Sequence, residues 1–103
     1  MKKNEVSMSD LAAITAKTGD EYAMFTKGGE RLIIRGNKRS VHITPEDALD
    51  LAENGYRWSG HTHPGTNDFV LTPSKGDIKV LKKFNQDHTV IYNSLGRFKI
   101  IYK

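Results

Sequence analysis

The sequence predicts an α+β fold, sandwich-like, with a mixed β-sheet flanked by helices. Three observations carry that prediction. Helix-start chemistry appears at three places, near Ser7 or Ser9, at Thr44 and around Ser74. Short apolar stretches bounded by Gly or Asn separate them and read as strands. No repeat, linker or low-complexity tract breaks the 103 residues, so one domain over 1–103 is expected, with residues 1–6 flexible.

In chain order, the first helix starts after Ser7 or Ser9. Ser7 and Asp10 have capping-box spacing, and Leu11, Ile14 and Thr15 share a face. Gly19 ends it, because Gly accepts the left-handed conformation after a helix. Residues 21–26 read as a strand, Gly28-Gly29 as a turn, and 31–35 as a second strand. Gly36-Asn37 and Lys38 turn the chain into a third, 40–43. Thr44-Pro45-Glu46-Asp47 opens a second helix with a hydroxyl cap, a first-turn Pro and two acids. Leu49, Ala52 and Ala48 form its apolar face, and Gly55 closes it. Residues 56–63 are the next strand and 64–71 a loop. Thr72-Pro73-Ser74 starts a third helix, with Ile78, Leu81 and Phe84 inward. A hairpin of 89–92 and 97–102 closes the chain.

Composition excludes several classes of function. There is no Cys, so disulfides, thiolate zinc clusters and Cys nucleophiles are impossible. No apolar run approaches the ~20 residues of a membrane span. A cytoplasmic protein without membrane contact is expected. Sixteen Lys and Arg against 12 Asp and Glu give +4. The basic residues are scattered, among them Arg31, Arg35, Lys38 and Arg39, and form no nucleic-acid recognition pattern. Nucleic acid is not the expected partner.

The informative stretch is His61-Thr62-His63. Residues two apart on a strand share a face, so both imidazoles can reach one metal. Two such histidines can equally be a surface pair. Pro64 turns the chain out of the strand at the second His. Ser74 and Asp77, three apart, share a face at a helix start, where an acid also complements the helix dipole. His61, His63 and Asp77 make a three-ligand set of the kind that leaves a zinc position open for water. The set still needs a general base. Of the five glutamates, Glu46 and Glu53 fall on an exposed helix side, Glu30 in a tight turn and Glu5 at the terminus. Glu21 enters a strand directly after a helix and is the candidate; its plain alternative is an exposed strand-edge acid. His42 and His88 read as structural or surface residues, Asp68 as a stray loop ligand at most, and Trp58 as core.

Taken together, Gly19-Asp20-Glu21-Tyr22-Ala23-Met24-Phe25, Gly60-His61-Thr62-His63-Pro64 and Pro73-Ser74-Lys75-Gly76-Asp77 resemble the motif of the JAMM (MPN+, JAB domain) metalloproteases. That motif is an early Glu, His-x-His-Pro and Ser-x-x-Asp. The resemblance spans about residues 9 to 102. It implies the cytidine-deaminase-like JAB/MPN architecture, zinc on His61, His63 and Asp77, Glu21 as base, and Ser74 as a hydrogen-bond donor to the oxyanion. The implied reaction is hydrolysis of a peptide or isopeptide bond, often beside the C-terminus of a ubiquitin-like protein. Ten residues separate His63 from Ser74, and the chain is short for the insertions with which eukaryotic members grip ubiquitin. The resemblance is therefore to a compact prokaryotic or phage-type member. Two other readings stand beside it: a non-catalytic module of the same fold used for binding or as a scaffold, and a basic nucleic-acid-binding domain.

Overall fold

A computed structural model describes residues 1–2, 4–41 and 43–103 of the chain. Its elements are α1 (Met8–Thr18), β1 (Tyr22–Lys27), β2 (Glu30–Arg35), α2 (Pro45–Glu53), β3 (Arg57–Thr62), α3 (Lys75–Phe84), β4 (His88–Tyr92) and β5 (Phe98–Tyr102), with a 3₁₀ turn at Asp68–Leu71. All three helices start where a hydroxyl cap stands. Ser7, Thr44 and Ser74 each accept the backbone N–H of the residue three on, and Asp10, Asp47 and Asp77 return the bond. Gly19 ends α1 in the left-handed conformation at φ 76°.

The five strands lie in the order β2-β1-β3-β4-β5. Only β3 and β4 run parallel; the other neighbours are antiparallel. Side chains alternate along β1. Ala23 and Phe25 enter a core with Ala48, Trp58, Leu81 and Phe84, whereas Tyr22 and Met24 enter another with Val6, Met8 and Leu11. The helix α1 thus covers one face of the sheet, and α2 with α3 the other. The fold is α+β with a mixed sheet between helical layers.

Topology brings distant residues to one end of this sheet. The parallel pair β3–β4 is joined through α3, which must run back against the strand direction. The first turn of α3 therefore lies at the C-terminal end of β3. Strand β1 is antiparallel to β3, so its start lies at that same end.

Some expectations are corrected. Residues 40, 41 and 43 form no strand. Their segment bonds elsewhere: Gly36 N–H donates to the Glu21 carbonyl (2.8 Å), Glu21 N–H to Asn37 (2.9 Å) and Asn37 N–H to Ser40 (2.9 Å). The Asn37 side chain accepts from Arg39 and Ser40 N–H, holding a tight turn that a third strand would have to break. Ile14 and Leu49, placed inward by periodicity, are exposed; Ala12 is buried instead, and Ala48 is buried as expected. Near the start of the chain the Met1 amino group donates to the Arg31 carbonyl, Lys2 bridges Glu30, and Val6 is buried. His42 lies outside the described residues.

One irregularity is invisible in the sequence. Met24 pairs with Gly60 but Phe25 pairs with Trp58, so Ser59 is the extra residue of a β-bulge. The bulge shifts the alternation by one. Trp58 and His61, three apart, then face the same side, and their rings stack at 4.8 Å.

Candidate metal centre

His61 is the penultimate residue of β3, and His63 follows its end. His61 is almost fully buried; His63 is tethered by its N–H to the Tyr92 carbonyl at 2.9 Å. Their Nε2 atoms lie 3.0 Å apart. Asp77, in the first turn of α3, brings Oδ2 to 3.3 Å from His61 Nε2 and 3.4 Å from His63 Nε2. Three side chains from two elements thus converge on one point.

Glu21 joins from the start of β1. Its Oε1 lies 3.7 Å from His63 Nε2, and Glu21, His61 and His63 offer ligand atoms within 4.8 Å of one another. Two triads therefore share the histidines. The Asp77 triad is the tighter, and Glu21 stands off from it. Glu30, the rival base, sits exposed at the far end of the β1–β2 hairpin, opposite Lys27.

The donor set fits a metal ion. The Nδ1 of His63 faces the Val70 carbonyl, which can only accept, so Nδ1 carries a proton and Nε2 is the nitrogen that would face a metal. His61 Nδ1 is buried without a hydrogen-bond partner among the described residues. Three heteroatoms this close need protons or a cation between them. For a tetrahedral zinc at about 2.0–2.1 Å, ligand atoms lie about 3.3–3.4 Å apart. The observed 3.0, 3.3 and 3.4 Å match that spacing.

Electrostatics separate the two carboxylates. Burial works against an ionised Asp77, but hydrogen bonds from His61 and His63, the charge of His61 and the Ser74 N–H hold its carboxyl far below the usual range. Glu21 goes the other way. Burial pushes it up to about 7, with His63 pulling down and Asp77 adding to the rise. Burial also keeps His61 low. For His63 burial is outweighed by its bonds to Asp77 and Val70 and by Glu21, and the net shift is upward. One acid is fixed as an anion and the other is poised near neutrality.

Ser74 lies beside this group. Its Oγ accepts Asp77 N–H at 3.0 Å, and its N–H donates to Asp77 Oδ2 at 2.9 Å. The capping oxygen keeps its own O–H free to donate. One helix cap therefore orients the Asp77 carboxylate and places a hydroxyl next to it.

No family model, curated protein or solved structure matches the chain. The functional reading rests on the geometry of the centre and its cleft. That cleft, of about 360 Å³, is lined by Glu21, His61, His63, Ser74 and Asp77 together with Trp58, Pro64, Val70 and the turn Lys38-Arg39-Ser40. His88 and Asp68 lie away from it; Asp68 is exposed and its Oδ1 lies 3.9 Å from an Arg97 nitrogen. Sequence reasoning missed three contributors. The Val70 carbonyl carries no residue-type signal. The stacking of Trp58 on His61 was hidden by the bulge. The turn at Lys38 was read only as a connection into a strand at 40–43, with no part in the cleft.

Proposed function

We propose that the protein is a zinc-dependent metallopeptidase or isopeptidase of the JAMM kind. The observation that carries this reading is the 3.0–3.4 Å triangle of His61, His63 and Asp77 with the Glu21 carboxylate beside it. His61, His63 and Asp77 would hold the zinc. When bound, zinc lowers the pKa of water to about 7 and polarises a carbonyl.

The chain's own residues supply the rest. Glu21 takes a proton from the attacking water and hands it to the leaving amine, a task suited to a carboxyl pushed up to about 7. Asp77, held as an anion by both histidines, stays a ligand and does not compete for that proton. The Ser74 hydroxyl donates to the oxygen on which negative charge develops. Trp58 and Val70 fix the two imidazole planes. The substrate is a protein or peptide lying in the cleft, with the C-terminus of a ubiquitin-like protein as one candidate.

The test is Glu21→Gln, which keeps the shape and removes the base. It should retain zinc by elemental analysis and lose at least about a hundredfold in peptide hydrolysis. Unchanged hydrolysis would remove the base from the scheme. Zinc bound without hydrolysis of any peptide or isopeptide by the unaltered protein would favour the scaffold reading.

A further inference from the structure

The turn between β2 and α2 forms one wall of the cleft through Lys38, Arg39, Ser40 and Val41. It is not a loose loop. Gly36 and Asn37 bond to both backbone groups of Glu21, and the Asn37 side chain closes the turn on Arg39 and Ser40 N–H. A Cβ on Gly36 would come within 2.1 Å of the Ser40 carbonyl oxygen, so the turn is also tightly packed. Two cations are thereby held on a rigid frame attached to the candidate base.

Their charges are uncompensated. Neither Lys38 nor Arg39 has an ion-pair partner among the described residues, whereas nearby Arg35 is bound to Asp20 at 2.7 Å. Among the described residues the only acids lining the cleft are Glu21 and Asp77, and both are engaged with the histidines. An approaching ligand therefore meets two free cations at one wall and no free anion.

We infer that Lys38 and Arg39 form a carboxylate-recognition subsite, so that preferred substrates carry a carboxylate close to the scissile bond. This rests on reading the cleft as a peptidase site. The carboxylate has two possible sources, an acidic side chain or a free chain terminus. Both would be drawn by the same pair of cations, with Arg39 able to grip a carboxylate through two nitrogens.

Three peptides of equal length test this: one neutral and amidated, one neutral with a free C-terminus, and one amidated with two Asp residues. Their dissociation constants are measured on zinc-loaded Glu21→Gln protein, and their kcat/KM on the unaltered enzyme. At least one carboxylate-bearing peptide should be favoured by about fivefold to tenfold over the neutral one, and which one identifies the source. In Lys38→Ala/Arg39→Ala the ratio should fall to near one; Lys38→Arg/Arg39→Lys should restore part of it. Equal affinities for all three peptides, or a preference that survives the double Ala variant, would overturn the inference. If nothing is hydrolysed yet the binding preference follows Lys38 and Arg39, the peptidase reading fails and the subsite stands.

Discussion

At the scale of single residues, the site separates two carboxylates by environment. Glu21 is buried with little to stabilise its charge, whereas Asp77 receives both imidazoles and a backbone N–H. Because the carboxyl of Glu21 rises from 4.5 to about 7 on folding, the native state favours its protonated form. The stability this contributes is complete below about pH 4.5 and is lost as pH rises through about 7. Gln mimics the protonated acid. Metal-free Glu21→Gln should therefore match the unaltered protein near pH 4 and exceed it by about 1–3 kcal/mol at pH 8. Urea unfolding at both pH values reads the difference; a gap independent of pH would contradict the buried-acid account. Ser74 has two separable duties. Ser74→Ala should keep zinc, cost about 1 kcal/mol of stability as a lost cap, and slow turnover. A lower Tm with turnover untouched would reduce Ser74 to its capping role.

At the scale of elements, the bulge in β3 sets the centre's geometry. It turns Trp58 and His61 to the same face, and Gly60 beside it lets β4 and α1 approach closely. A Cβ at Gly60 would sit 2.9 Å from the Val90 carbonyl oxygen and 3.2 Å from Met8 Sδ. Gly60→Ala should therefore destabilise the fold by about 1–3 kcal/mol and weaken zinc affinity, since β3 must shift under both histidines. Calorimetry and a zinc titration check this; a neutral substitution would mean the strand is freer than the packing implies. The helices were legible because a cap is local chemistry: Ser7, Thr44 and Ser74 each need only a residue three positions on. The expected strand at 40–43 was misread because the turn leading into it is bonded to Glu21, which Gly36 and Asn37 reach from 15 and 16 positions away in sequence. The proximity of His61, His63, Asp77 and Glu21 was legible from spacing and element order. The hydrogen bond of His63 to the Val70 carbonyl was not, because any residue type supplies a carbonyl.

At the scale of the molecule, the candidate metal centre lies at one end of a sheet whose two cores are built from other residues, such as Phe25, Leu81, Leu11 and Met24. The domain should accordingly stay folded without metal. Zinc bound to the native state alone would add about 2.7 kcal/mol when free zinc is a hundredfold above its Kd. For a chain of this size that raises Tm by roughly 10–20 °C, and a chelator should reverse it without unfolding the protein at 25 °C. Among the described residues no helix is long and apolar enough to cross a membrane. The +4 charge is spread without an organised stripe, so affinity for nucleic acid should be weak, salt-sensitive and indifferent to sequence. The central claim is that Asp77, and not Glu21, completes the histidine pair as a metal ligand. An anomalous difference map from a zinc-grown crystal tests it most directly. The account predicts one peak about 2.0–2.1 Å from His61 Nε2, His63 Nε2 and Asp77 Oδ2, with the Glu21 carboxylate beyond direct contact. A peak bound by Glu21 in place of Asp77, or no peak between the histidines, would contradict it.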